Sequence, residues 1–167
     1  MPPKLTLPIR LRAATVADGA DLLRWRNDPE TRRWSRNESE TSAAEHALWL
    51  GASLASPTRS LWIAEIEGIA VGTVRADRAP DGVELSWTVA PERRGQGVGT
   101  CMVRLALESL AGRVYAYVKA GNEASVRIAT AAGFRLDSDQ QGFICYSTAG
   151  RPGPAGDTTG GENVPHR

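Results

Sequence analysis

Three glycines at every second position, Gly95, Gly97 and Gly99, follow Arg93 and Arg94 and precede Thr100. Glycine lets a backbone approach a ligand without a Cβ in the way and tolerates positive φ. A helical pattern begins at once. Val98, Met102, Leu105 and Ala106 share one face, and Leu110 continues it. The first turn of a helix offers amides with no internal partner at the positive end of its dipole. A phosphate or pyrophosphate therefore suits the stretch Gly95-Gln96-Gly97-Val98-Gly99-Thr100. A dinucleotide fingerprint would need a glycine where Thr100 stands, and the Gly-Lys-Ser/Thr of a Walker loop is absent. What remains is Arg94-x-x-Gly97-x-Gly99, which taken alone also describes a strand-to-helix turn with no ligand.

A second stretch, residues 24–37, interleaves five arginines with Trp25 and Trp34 and shows little periodicity. It reads either as a solvated loop or as a binding surface. Guanidinium forks recognise phosphates and carboxylates, and indoles supply stacking faces. Downstream, His46 and Trp49 lie beside a helical stripe of Ala43, Ala47, Leu50 and Leu54 that opens on the capping box Ser42-x-x-Glu45. His46 is expected at the surface or at its boundary, and Trp49 in the core or a pocket wall.

The elements that must position these residues follow in order. Ile9, Leu11 and Ala13 alternate with arginines as a first strand. Asp18 is a candidate N-cap for a helix carrying Leu22, Leu23 and Trp25, which Pro29 limits. Residues 60–67 and 69–77 form a hairpin turning at Gly68, and residues 79–82 turn into a third antiparallel strand at Val83. On that strand Val83, Leu85, Trp87 and Val89 alternate with Glu84, Ser86 and Thr88 until Pro91 ends the ladder. Gly112 is expected to stop the glycine-turn helix as its C′ residue. A strand around Val114–Val118, a helix capped by Asn122 and stopped by Gly133, and two closing strands complete the fold.

At 167 residues a single domain is expected, spanning 9–148, with a loose arm at 1–8 and a disordered Gly/Pro-rich tail at 149–167. Lys plus Arg total 20 against 19 Asp plus Glu, so no charge excess argues for nucleic acid or an anionic membrane. The residues Cys101 and Cys145 show neither metal spacing nor a disulfide framework, which fits a reducing cytoplasm. No metal site is expected. Neither a signal peptide nor an apolar run long enough for a membrane span is expected.

Element order and motifs together resemble the GCN5-related N-acetyltransferases, the GNAT superfamily. Arg94-x-x-Gly97-x-Gly99 is similar to its motif A. Asn122 and Ser125, with Gly133-Phe134 closing the helix, resemble its motif B. The resemblance covers residues 9–147. It implies an α+β (mixed α/β) fold: a mostly antiparallel sheet of six to seven strands, about four helices, and a splay between strands 4 and 5. It implies acetyl-CoA as co-substrate. The pyrophosphate would lie on Gly95–Thr100 with Arg94 beside it. The pantetheine arm would pair with Trp87, Thr88 and Val89, and Asn122 would reach it from the other side of the splay. The front half, with Trp25-Arg26-Asn27, Arg32 or Arg33, and His46-x-x-Trp49, resembles acetyltransferases of nucleotide-linked amino sugars, the pseudaminic-acid type.

For the chemistry, Glu84 is the candidate general base, directly or through water. The superfamily's usual motif-B tyrosine position is Ala129 here, so that role cannot be carried over. Tyr117 is the preferred substitute acid. The expected partner is a small-molecule primary amine, with a homodimer left open. Alternatives are a protein N-terminus, an antibiotic amine, or an acyl-CoA-binding module without catalysis.

Overall fold

The computed structural model of the protein describes residues 8–152. Seven strands form one sheet in the order β1-β2-β3-β4-β5-β7-β6. The strands are β1 (Ile9–Ala13), β2 (Arg59–Ile66), β3 (Ile69–Ala79), β4 (Gly82–Val89), β5 (Arg113–Lys119), β6 (Arg135–Gln140) and β7 (Phe143–Ala149). Every pairing is antiparallel except β4 with β5. Five helices flank the sheet: α1 (Gly19–Asn27), α2 (Pro29–Arg33), α3 (Ala43–Ala55), α4 (Val98–Glu108) and α5 (Glu123–Ala131). This is the expected mixed fold, with one helix more than expected.

The extra helix is α2. Pro29 ends α1, as its missing N–H and fixed φ require, but it then occupies the first turn of α2, where neither is a cost. Asp28 caps it by accepting from the Thr31 amide at 3.0 Å. Asp18 serves a different purpose from the one expected. It is buried, accepts two bonds from the Arg12 guanidinium (2.8 and 2.7 Å) and one from the Thr15 amide (2.8 Å), and makes no side-chain cap on α1.

Two apolar cores lie on opposite faces of the sheet. The larger joins Val74, Val83, Leu85 and Val114 to Val98, Met102, Val103 and Ala106 of α4 and to Ala129 of α5. The buried face of α4 thus takes Val103, while the expected Leu105 is only half-buried. The smaller core packs Leu22, Trp25 and Leu50 of α1 and α3 on Leu61 and Ile63. On α3 the buried stripe is His46, Leu50 and Ser53, rotated from the expected one. Ala43, Ala47 and Leu54 are exposed. Gly112 has φ +76 but stands beyond the Ser109 cap, so it does not close α4 as C′. It belongs to a junction where Gly150 N–H donates to its carbonyl (2.6 Å) and Arg151 N–H to that of Leu110 (2.9 Å). The described chain continues past Ala149 to Pro152. Of the arm expected at 1–8 and the tail expected at 149–167, residues 1–7 and 153–167 lie outside the described residues.

Candidate active site

The fork in the sheet sets the site. β4 and β5 pair only at Val83↔Val114 and Glu84↔Tyr115. Beyond Glu84, β4 stays on β3 as far as Val89 and leaves β5. Ala90 N–H donates to Val71 O on the β3 side. By the alternation of an antiparallel ladder, the main-chain groups of Leu85, Trp87 and Val89 then point into the gap. A cavity of about 1120 Å³ opens there. Its wall includes Glu84, Trp87, Thr88, Val89, Tyr117, Asn122 and Ser125, and the whole glycine turn except Gln96.

Under the fork, Gly95 (φ +72) and Gly97 (φ +82) occupy the left-handed region, and a Cβ on either would meet no protein atom within 4 Å. Gly97 is the N-cap of α4, so no side chain caps that helix, and its first turn holds no acid. Cys101 N–H makes the first helical bond, to Gly97 O at 3.2 Å. The Val98, Gly99 and Thr100 amides precede that ladder. Gly99 plays a different part: it is helical, and a Cβ there would overlap Ile128 and crowd Val89, so it sets the close approach of α4 and α5. Gln96 turns back to the Glu92 carbonyl at 3.2 Å and lies off the cavity wall. Val98 is core. Arg94 lines the cavity, but its Nη2 already donates to Asp28 Oδ2 (2.6 Å) and Thr31 Oγ1 (3.0 Å).

Asn122 caps α5. Its Oδ1 accepts from the Ser125 amide at 3.2 Å and its Nδ2 donates to Ser125 Oγ at 3.1 Å, so the pair holds itself in the wall. Trp87 packs its ring 6.3 Å from that of Phe134, with Nε1 buried and without a hydrogen-bond partner among the described residues.

The front stretch divides. Asn27 and Arg32 do not reach the cavity. Asn27 exchanges two 2.8 Å bonds with the backbone of Thr41, and Arg32 donates to the Glu38 carbonyl at 2.8 Å. Trp25 is 1% exposed, a core residue whose edge touches the cavity floor. Arg26 is on the wall. Its Nη2 donates to Asn37 O at 2.8 Å, while its Nη1 is buried with no partner among the described residues. Burial, and secondarily Arg32, lower its pKa from the ordinary arginine value. His46 is buried rather than at the surface, with its ring 5.2 Å from that of Trp49, and both line the cavity. Burial first, then the Arg26 charge, push the His46 pKa down from the ordinary histidine range.

Glu84 stands at the vertex of the fork, and Arg36 Nη2 lies 3.6 Å from its Oε1. Tyr117 follows two residues past the last β5 residue paired with β4. Tyr115, on the same face of β5, is buried and donates to Asp81 at 3.3 Å, away from the cavity. Sequence reasoning did not single out Phe143 or Lys119, whereas Arg36 and Trp34 belong to the arginine and tryptophan stretch read as a candidate binding surface. All four line the cavity. Lys119 joins Glu38 and the Arg33 carbonyl, and Trp34 lies over Gly121.

A mostly antiparallel sheet forked between a parallel pair, with a glycine turn and an uncapped helix under the fork, defines an acyl-coenzyme A transferase fold. The family model described as "Acetyltransferase (GNAT) domain" matches residues 9–135, and the chain belongs to that family. It is therefore an acetyltransferase, with acetyl-CoA as donor, and the free amides of the glycine turn fit such a group. Among solved structures, the chain is similar to aminoglycoside acetyltransferase AAC(6')-Ib in complex with coenzyme A (TM-score 0.74, 20% identity, 84% of this chain and 94% of that one). It is also similar to spermidine N-acetyltransferase from Vibrio cholerae with CoA and spermine (TM-score 0.72, 16% identity, 83% and 92%). A domain from Methanocaldococcus jannaschii gives a TM-score of 0.75 at 20% identity, covering 84% and 97%. No curated protein matches the chain in sequence. Among the described residues no His/Cys/Asp/Glu cluster has the makings of a metal site, and no helix is long and apolar enough to cross a membrane.

Proposed function

We propose that this acetyltransferase moves the acetyl group of acetyl-CoA to a primary amine of a small molecule by direct attack of the amine. The observation that carries this reading is the position of Glu84. It is the last β4 residue paired across the fork, in the wall of one cavity that also holds the glycine turn and Tyr117. The bound coenzyme supplies an activated thioester. The Gly95–Thr100 amides hold its pyrophosphate, and the main chain of Trp87 to Val89 orients its arm and polarises the acetyl carbonyl. Asn122 and Ser125 form the opposite side.

Glu84 takes a proton from the acceptor ammonium. An amine with a pKa near about 8 is already roughly one-tenth neutral at pH 7, so the carboxylate needs to add only about a tenfold gain. Tyr117 gives its hydroxyl proton to the departing sulfur and recovers one from the nitrogen as the amide forms. Position 129 offers no hydroxyl: Ala129 is sealed in the main core.

The finer class of acceptor has two readings. The amino-sugar reading is supported by Arg26, whose unpartnered Nη1 gives the cavity floor an uncompensated positive group beside His46. The antibiotic-amine reading draws on the acceptors named for the structural neighbours. Incubation with acetyl-CoA and a panel of nucleotide amino sugars, aminoglycosides, polyamines and free-N-terminus peptides, read by mass spectrometry, decides among them. Acetylation of a small amine is expected. Acetylation of peptides alone, or coenzyme binding without turnover on any amine, overturns the proposal. Arg26→Glu should raise the acceptor KM of an amino-sugar nucleotide more than tenfold, and an unchanged KM removes that class.

A further inference from the structure

We propose that Glu84, Tyr117 and Phe143 form a cation subsite for the acceptor, and that the protein's own Arg36 fills it until an acceptor ammonium or guanidinium takes its place. The proposal rests on the reading that Glu84 faces the acceptor. Arg36 belongs to the segment between α2 and α3, on the cavity side of the fork. Its guanidinium carbon lies 5.0 Å from the Tyr117 ring centroid and 5.1 Å from that of Phe143, with Nη2 3.6 Å from Glu84 Oε1. Two aromatic faces and one carboxylate around one positive group are the arrangement by which proteins recognise organic cations.

The seating of Arg36 is loose. Its neighbours in the same segment are tied by hydrogen bonds: Arg26 to Asn37 O and Arg32 to Glu38 O, each at 2.8 Å. Arg36 donates no hydrogen bond among the described residues, and its side chain remains 63% exposed. A solvent-exposed ion pair at that separation is weakly held and screened by salt. Arg36 can therefore swing out at little cost. The carboxylate and rings it leaves behind belong to β4, β5 and β7, and they stay where the sheet holds them. An incoming ammonium exchanges one cation for another without leaving Glu84 unpaired, and it arrives in contact with the group that takes its proton. The acceptor class that follows is an amine carried as a cation on a small, water-soluble body. A neutral or acidic amine ligand gains nothing from this subsite.

The test is calorimetric titration of methylguanidinium into the full-length protein loaded with coenzyme A, as wild type, Arg36→Ala and Arg36→Gln. Removing the resident cation should tighten methylguanidinium binding roughly three- to fivefold in both variants. Arg36→Lys should gain less than twofold, and adding Glu84→Gln to Arg36→Ala should abolish the gain. Coenzyme affinity, measured in the same cells, reports that each variant is folded. Equal methylguanidinium affinity in wild type and both charge-removing variants overturns the subsite, as does a gain that survives loss of the Glu84 charge. Turnover reads the other proposal separately. If no amine is acetylated while methylguanidinium behaves as stated, transfer to an amine fails and the subsite stands. If amines are acetylated and Arg36→Ala raises their KM, Arg36 holds the acceptor and the subsite falls.

Discussion

The two walls of the cavity are built by different means. The coenzyme wall is backbone: two left-handed glycines, an uncapped helix start, and a strand whose main-chain groups lost their partner at the fork. The acceptor wall is side chains reaching across the fold. Lys119 meets Glu38, Arg36 meets Glu84, and Asn27, itself off the cavity, clamps Thr41 on its wall. A backbone site is specified by neighbours in the chain and tolerates changes elsewhere. A side-chain site depends on partners far away in sequence and can be rewritten one residue at a time. Under the proposed function, one wall is thus generic to the donor, and the other is where acceptor choice resides.

The sharpest way to break this comparison is Glu84→Gln. Loss of the proposed base should lower kcat roughly tenfold and leave coenzyme affinity within about twofold in a calorimetric titration. A matching collapse of coenzyme affinity would mean the walls are not separate. Next comes Asp18→Asn, which weakens the ionic bonds holding the entry to α1 under the acceptor wall. About 2 kcal/mol should be lost from urea unfolding at pH 7. The Arg12 bonds hold the Asp18 carboxyl below its ordinary value. That stability is present above the ordinary carboxylate pKa and is lost as pH falls through the lowered one, so the variant should approach wild type in acid.

Gly97→Ala targets the other wall. A left-handed residue with a Cβ costs about 1 kcal/mol, and the resulting rearrangement of the turn should weaken coenzyme binding about fivefold with acceptor KM unchanged. The smallest effect is at His46. Its pKa is lowered in the fold, so the unfolded chain binds more protons as pH falls below the ordinary histidine value, and stability declines. His46→Gln should flatten the drop in melting temperature between pH 7.5 and 5.5 by about 2 °C.

How legible each wall was in the sequence follows from the same contrast. The β4 alternation, the Gly68 hairpin, the Ser42 capping box and the Asn122 cap are local patterns, and each stands where its pattern put it. The glycine trio was legible as a motif but not in its division of labour. Only Gly95 and Gly97 need positive φ, while Gly99 is small because Ile128, 29 positions on, leaves no room. Asp18 has the composition of a cap, yet an arginine on β1 claims it. The arginines of residues 24–37 advertise a binding surface. Which of them face the cavity depends on backbone carbonyls and carboxylates that no periodicity reveals. His46 reads as a boundary residue by type, and its burial comes from a rotation of α3 that an alanine-rich helix does not fix.

Two ion pairs fasten the front helices to the turn before α4: Arg24 to Glu92 at 3.0 Å and Arg94 to Asp28 at 2.6 Å. They straddle the joint between α1 and α2 on one side and the glycine turn on the other. The turn that begins α4 is thus held to the front helices by charge rather than by packing, and added salt should loosen that tie.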